Sequence, residues 1–267
     1  MGCVSDSSDD DRTLPTRREP PAFRRVAVRR ITELSPHMRR IVLGGDELDG
    51  LEIDEPAASV RMLLPPAGED ALVMPTWSGN QFDLPDGRRA PIRTFTPRHM
   101  DPERQELTLD VVLHGEGAAS EWARAASPGD EVAISGPGRG YEIDTGARSY
   151  LLVGDEVAIP AISQLLEALP ETMPVAVEIE VSAPSARVDL PDHPAVVVTW
   201  HERADGAEPG DALVAVVRSL DAVPDRVWVA GEAAAVQRIR KHLFDERGLS
   251  RSDATVRGYW QKGRSAT

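Results

Sequence analysis

The sequence has 267 residues, a formal net charge of -14 and 41% hydrophobic residues, which suits two modest domains with apolar cores. So acidic a chain is a poor candidate for nucleic-acid or anionic-membrane binding. The lone Cys3 excludes an intramolecular disulfide and any multi-cysteine zinc or iron–sulfur site. No stretch approaches the roughly 20 apolar residues of a membrane span, and the first residues lack the apolar segment of a secretory signal. We therefore expect a cytoplasmic protein. We also expect a monomer, although none of these features determines the oligomeric state.

The first half of the chain has the pattern of a small all-β domain. Residues 1–20 are polar and charged, which predicts a disordered acidic tail. Six strands are predicted at 23–33, 38–43, 59–64, 92–98, 106–113 and 131–135, with a long loop at 67–91 and one helix at 118–126. We expect residues 21–145 to form a six-stranded antiparallel β-barrel.

From residue 146 strands alternate with helices. Strands are predicted at 149–153, 175–181, 195–199, 226–230 and 255–260, and helices at 158–169, 212–220 and 232–247. This alternation is typical of a mostly parallel sheet with helices on both faces. We expect a second, α/β domain over residues 146–267.

The fourth predicted strand carries Arg93, Thr94, Phe95 and Thr96. Residues two apart share a face of a strand, so Arg93 and Phe95 point one way and the two threonines the other. A flavin site needs a cation for the pyrophosphate, an apolar wall for the isoalloxazine and a hydroxyl near its reactive nitrogen, and this motif offers all three. The alternative is an ordinary strand with exposed arginines.

A glycine loop follows at His114, Gly115 and Gly117 and opens a helix that includes Ala119 and Ser120. Free N–H groups and the positive end of the dipole at a helix start favour a phosphate, and glycine lets the backbone approach it. The alternative is a plain strand-to-helix turn with Ser120 as its cap.

Two glycines mark the ends of strands in the second half, in Gly154-Asp155-Glu156 and in Gly231-Glu232. Ligands of α/β sheets bind at the carboxyl ends of strands, so both segments are candidates for nicotinamide contacts. Neither matches the GxGxxG pattern, and the carboxylates would repel a pyrophosphate. Asp155 and Glu156 could instead be a charge pair at a helix N-terminus.

These segments together resemble the siderophore-interacting protein family, a branch of the ferredoxin-reductase-like flavoproteins. The resemblance runs from about residue 22 to 264 and rests on the RTFTPR motif at 93–98, HGEG at 114–117, WA at 122–123, PGD at 128–130, GP at 136–137, GY at 140–141, GDE at 154–156, PAI at 160–162, AGE at 230–232, RGYW at 257–260 and Gly263. It implies FAD bound by Arg93, Phe95 and Thr96, with Gly117 and Ser120 at the pyrophosphate.

By the same resemblance, electrons pass from NADH or NADPH through the flavin to a ferric siderophore, and reduction releases the iron. The departure from the glycine-rich nicotinamide loop at Gly154-Asp155-Glu156 leaves the donor open among NADH, NADPH and a ferredoxin. The alternatives are a general flavin reductase and a non-catalytic flavin or siderophore carrier.

The family is associated with basic residues around the substrate, for which the candidates are Arg61, Arg139, Lys262 and Arg264, with Arg98 also considered. Each could equally be solvated or paired with a carboxylate. Trp260 is expected to cover the flavin or nicotinamide, or to be a buried tryptophan at the sheet end, and His114 to lie near the cofactor or simply to end a strand. For an NADPH phosphate, Arg187 and Arg203 are equally eligible.

Overall fold

The computed structural model describes residues 20–66, 68–69, 71–115 and 117–263. The tail predicted as disordered lies outside the described residues except for Pro20, and Arg264 lies outside them too. In the described part of the chain, no helix combines the length and the apolar character needed to cross a membrane.

A seven-stranded antiparallel sheet forms the first half, in the order β6-β3-β9-β1-β2-β8-β7. Its strands are β1 (Arg24–Ser35), β2 (Met38–Gly44), β3 (Val60–Leu63), β6 (Ile92–Phe95), β7 (Pro97–Asp101), β8 (Glu106–Val112) and β9 (Glu131–Ser135). One helix, α1 (Ala118–Ala125), lies between β8 and β9. The interior is apolar, with residues such as Ile41, Leu107 and Ile134 fully buried.

The strand predicted at 92–98 is in fact two strands, which corrects the predicted strand count. Strand β6 ends at Phe95 and β7 begins at Pro97, so Thr96 alone separates them. The two strands form opposite edges of the sheet, and a single residue can join them only if the sheet curls until its edges meet. Thr96 therefore stands at the closure of the curled, barrel-like sheet.

The segment predicted as a long loop also contains structure. A short hairpin pairs β4 (Thr76–Trp77) with β5 (Phe82–Asp83). Leu72, Leu84 and Ala90 pack beneath it in a satellite core against Leu63 of the sheet. Two-residue strands are too short for a periodic pattern, which is why the sequence did not reveal them.

Five parallel strands form the second sheet, in the order β12-β11-β10-β13-β14. They are β10 (Tyr150–Asp155), β11 (Val175–Val181), β12 (Val196–Glu202), β13 (Arg226–Glu232) and β14 (Ala254–Trp260), with helices α2 (Ile159–Ala168), α3 (Asp211–Ser219) and α4 (Ala233–Lys241). A π-helical turn, His242–Glu246, extends α4. Every residue of the central strand β10 is buried, as expected for a strand covered on both faces. The fold class predicted from the sequence is confirmed.

Candidate functional site

Arg93 is a cation for which the described residues supply no counter-ion. It lies on β6 opposite Met62, and Phe95 lies opposite Val60, so both side chains share one face of the sheet. The half-buried guanidinium donates to the Ile92 carbonyl at 2.9 Å and forms no ion pair with a described carboxylate. Burial, with Arg89 nearby, lowers the pKa of Arg93. A desolvated cation of this kind is suited to an anionic ligand.

The two threonines of the motif have different surroundings. Thr94 is exposed and lies opposite Arg61 of β3. Thr96 is buried and lies close to the phenol of Tyr259 near the end of β14. Burial raises the pKa of that phenol, and the neighbouring Thr96 side chain lowers it. Phe95 packs from the edge onto the barrel core and keeps part of its ring exposed. The motif therefore faces the last strand of the α/β domain.

Ser120 turns inward from the glycine loop. Its hydroxyl donates to the carbonyls of His114 at 3.0 Å and Val112 at 3.3 Å, and it accepts from the His114 N–H at 3.2 Å. A phosphate contact from this residue would therefore have to use its backbone N–H. The surface stays open at Gly115 and Gly117, where an added Cβ would meet nothing within 4 Å. Gly117 is the N-cap of α1, and Ala119 lies in its first turn, where N–H groups lack helical partners.

Asp155 is the centre of a buried hydrogen-bond network at the end of β10. Its Oδ2 accepts from the Trp260 indole at 2.7 Å and from the Glu232 N–H at 2.9 Å, and its Oδ1 accepts from the Val157 N–H at 3.1 Å. Burial raises the pKa of Asp155 to about 6, against the effect of these donors. The network links β10, β13 and β14 through a single carboxylate.

Carboxylates also cap the helices that begin at this edge of the sheet. Glu232 accepts from the N–H groups of Ala234 at 2.6 Å and Ala235 at 3.0 Å, the first turn of α4. The fully buried Glu180 accepts from the N–H groups of Gly210 at 2.7 Å and Ala212 at 3.2 Å, at the start of α3. Backbone N–H groups that could have bound a phosphate thus donate to carboxylates of the protein instead.

The predicted glycines permit this close packing. A Cβ on Gly231 would lie 2.7 Å from Asp155 Oδ2, and one on Gly154 would lie 2.4 Å from the Ala158 Cβ. Glu156, also buried, accepts a hydrogen bond from the Ser182 N–H. The structure therefore brings together all five residues predicted for nicotinamide contact: Gly154, Asp155, Glu156, Gly231 and Glu232.

A cavity of about 250 Å³ lies between the two sheets at this point, bordered by His114 on one side and Asp155, Glu156 and Trp260 on the other. The rings of His114 and Trp260 are tilted by 32° with centroids 5.2 Å apart, a stacking distance for aromatic rings. Burial lowers the pKa of His114. Chain segments about 145 residues apart thus meet at one cleft, as expected for a ligand site between domains.

His37 borders the cavity and was not predicted from the sequence, whereas Arg203, one of the two candidates for an NADPH phosphate, borders it as well. Arg203 donates to Glu180 at 3.2 Å, whereas Arg187 pairs with the exposed Glu202 at 2.8 Å. A signal was available, since Glu178 and Glu180 are the two acids in an otherwise apolar strand, and an acid that becomes buried there needs partners.

The predicted substrate cations have different surroundings. Arg61 and Arg139 are both exposed, and neither pairs with a carboxylate among the described residues. Their segments are adjacent, because the Gly138 N–H donates to the Ser59 carbonyl at 2.6 Å. Lys262 instead pairs with Glu208 at 2.8 Å. Arg98 binds both oxygens of Glu167 on α2, at 2.5 and 2.8 Å.

Comparison with known families matches almost the whole described chain. A family model described as the siderophore-interacting FAD-binding domain matches residues 27–141. A second, described as siderophore-interacting protein, matches residues 147–263.

Two curated relatives cover nearly the full length. An uncharacterised protein of Mycobacterium tuberculosis is 35% identical over 260 residues, which is 91% of each chain. The ferric vibriobactin reductase ViuB of Vibrio cholerae is 27% identical over 240 residues, 87% of each chain.

Solved structures show the same architecture. A siderophore utilization protein from T. fusca superposes with a TM-score of 0.83 at 31% identity, covering 93% of this chain and 96% of that one. Phthalate dioxygenase reductase, at 16% identity and a TM-score of 0.60 over 91% of this chain and 70% of that one, shares the fold.

Proposed function

Because the chain belongs to the siderophore-interacting protein family, we propose that it is an FAD-dependent ferric-siderophore reductase. The observation that carries the proposal is the half-buried Arg93, a cation without a carboxylate partner in the described structure, on the same short strand as Phe95 and next to Thr96. Similarity to a protein named as a ferric vibriobactin reductase supports the reaction class.

The residues present fit a flavin dinucleotide. Arg93 would hold the pyrophosphate, helped by the N–H groups of the open loop at Gly115 and Gly117. Phe95 offers an apolar wall beside Thr96 at the closure of the sheet. His114 and Trp260 would exclude water from the cleft side. Bound FAD would supply the conversion of a two-electron hydride donor into one-electron reduction of Fe(III).

Arg61 and Arg139 would hold the substrate. A ferric siderophore of the catecholate class carries several negative charges, and these two exposed arginines lack carboxylate partners within the described chain. On a protein of net charge -14, such a local pair is needed to attract an anion. Release follows from reduction, since Fe(II) binds hard oxygen chelators more weakly. We place this reaction in the cytoplasm and on a monomer.

The donor would be NADH, NADPH or a reduced ferredoxin. Carboxylates already accept the hydrogen bonds of the backbone N–H groups at the starts of α3 and α4. The pyrophosphate of a nucleotide would therefore have to bind away from these two helix starts. For NADPH, Arg203 is the better placed candidate because it borders the cavity, while Arg187 pairs with Glu202 at the surface.

The first test is the absorption spectrum of the purified protein before and after anaerobic NADH or NADPH. A flavin spectrum that bleaches with one nucleotide supports the reductase and identifies the donor. A flavin that stays oxidised with both nucleotides points to ferredoxin or to a non-catalytic carrier. A colourless protein that cannot be reconstituted with FAD refutes the proposal.

The matched variants are Arg93→Ala and Arg104→Ala. Loss of one charge-assisted contact costs about 1.5–3 kcal/mol, so Arg93→Ala should weaken FAD binding by roughly tenfold to a hundredfold. Arg104 lies on the same domain in an exposed pair with Asp101 at 3.8 Å, and its removal should leave FAD affinity unchanged. Equal affinities in the two variants would refute the role given to Arg93.

The general flavin reductase is distinguished by its acceptors. Arg61→Ala and Arg139→Ala should reduce an anionic ferric chelate poorly while retaining flavin and its reduction by the donor. If both variants reduce every ferric chelate normally, iron reduction is incidental and the substrate assignment is wrong.

A further inference from the structure

The loop 136–141, which carries Arg139, is held against the barrel on both sides of that residue. The Gly138 N–H donates to the Ser59 carbonyl at 2.6 Å, and the Tyr141 N–H donates to the Pro56 carbonyl at 2.8 Å. The exposed guanidinium of Arg139 needs none of these contacts for its own solvation, so the fixed backbone calls for another explanation.

The glycines that flank Arg139 leave no space for another residue. A Cβ on Gly138 would lie 2.5 Å from Ser59 Oγ, and one on Gly140 would lie 2.3 Å from Glu55 Cβ. Glu55 also accepts from the Gly140 N–H at 3.0 Å. The loop is therefore packed directly onto the segment 55–59, two residues before Arg61.

Arg257 secures the same loop from the other domain. It lies on β14, and its guanidinium donates to the Gly140 carbonyl at 2.8 Å and to the Arg139 carbonyl at 3.3 Å. The side chain is half-buried and has no carboxylate partner among the described residues. A charged donor directed at two loop carbonyls, across the boundary between the sheets, fixes the loop's position relative to the α/β domain.

We propose that Arg257 is a positioning residue for substrate capture, which holds the Arg139 loop across the domain boundary so that Arg139 and Arg61 face one anionic ferric chelate together. This inference rests on the proposed function, because it assumes that the two arginines receive the siderophore. Arg257 acts on the chelate only by fixing the backbone of the loop that carries Arg139. Replacing Arg257 should therefore change chelate affinity only when the Arg139 side chain is present.

The test is a double-mutant cycle on the full chain with FAD, using Arg257→Met, Arg139→Ala and the double variant. Two chelates serve as probes, an anionic ferric tris-catecholate and an uncharged ferric tris-hydroxamate. Quenching of intrinsic fluorescence gives Kd without any electron transfer, and steady-state reduction gives KM and kcat. Arg247→Met is the matched control, since Arg247 also donates to two backbone carbonyls, of Leu220 at 2.8 Å and Asp221 at 3.1 Å, away from the loop.

Arg257→Met should raise Kd and KM for the catecholate by about fivefold to tenfold, which is less than the roughly tenfold to hundredfold loss of a direct charge-assisted contact because Arg257 acts only through the loop. The value of kcat and the affinity for the hydroxamate should stay near those of the wild type. In the Arg139→Ala background the same change should have no further effect, and Arg247→Met should have none in either background.

Additive effects in the double variant would overturn the inference, because they would mean that Arg257 touches the chelate itself or acts elsewhere. An equal loss for both chelates would also overturn it, because that outcome indicates a purely structural role. If Arg257→Met does not retain FAD, Arg257→Lys replaces it, since lysine keeps the charge but cannot span both carbonyls. A wild-type protein that binds the catecholate without reducing it would refute the proposed reductase and leave the Kd comparison valid.

Discussion

Replacing Trp260 with phenylalanine should destabilise the protein in a way that depends on pH. The indole N–H is one of three donors to the buried Asp155, at 2.7 Å. A hydrogen bond to a charged group contributes about 1.5–3 kcal/mol, and its loss should raise the pKa of Asp155 by roughly one to two units. The aromatic ring stays in Trp260→Phe, so most packing against His114 is retained.

The direction follows from the shift in pKa. Burial raises the pKa of Asp155 from 3.8 to about 6. The folded protein therefore holds the protonated carboxyl more tightly than the unfolded chain does, and this contribution to the free energy of unfolding is fully present below pH 3.8 and is lost as the pH rises through about 6. Because the pKa of Asp155 is higher still in the variant, stability continues to fall there up to a higher pH. The free energy of unfolding lost in Trp260→Phe should therefore be about 1–2 kcal/mol greater at pH 8.5, where Asp155 is ionised in both proteins, than at pH 5.5.

Urea unfolding followed by circular dichroism at the two pH values measures this difference. Trp122→Phe is the control, because the buried indole nitrogen of Trp122 has no hydrogen-bond partner in the described structure. The free energy of unfolding lost in this variant should therefore be equal at both pH values. A Trp260→Phe loss that is the same at pH 5.5 and 8.5, or larger at pH 5.5, would refute the view that the indole stabilises an ionised Asp155.

Three further changes test the packing and electrostatics of the α/β domain. Gly154→Ala places a Cβ 2.4 Å from that of Ala158, and such overpacking should lower the free energy of unfolding by about 1–3 kcal/mol in urea titrations; an unchanged midpoint would contradict the close approach. Glu180→Ala leaves a half-buried Arg203 and two helix amides without their acceptor, and should cost about 3–5 kcal/mol. Glu202→Ala breaks an exposed pair and should cost less than about 1 kcal/mol; similar losses for the two glutamates would show that Glu180 is not the buried cap described here.

The sequence predicted the order and type of most elements because their signals are local. The apolar run of β10 and the alternation of strands with helices do not depend on distant residues. The break at Thr96 could not be predicted in this way, since a continuous strand and two strands on opposite edges have the same local pattern. Only the closure of the sheet, which depends on strands far apart in the chain, distinguishes them.

The candidate site shows the same division. The glycine and acid motifs at Asp155 and Glu232 were found because they follow predicted strands. Contacts between His114 and Trp260, or between Arg257 and the Arg139 loop, join chain segments more than 100 residues apart. Composition and spacing carry no information on such pairs. The inward orientation of the Ser120 hydroxyl could not be predicted either, because the same sequence near a helix start is compatible with a helix cap and with a ligand contact.

The single-residue junction at Thr96 has a consequence for the integrity of the chain. While Thr96 joins β6 to β7, the two edge strands of the sheet are held next to each other at that residue. A protease cut there would remove no side chain from the core, yet it would free two strand edges with unpaired backbone groups. Nicked molecules would then tend to pair edge to edge with one another, so an intact peptide bond beside Thr96 protects the protein from self-association.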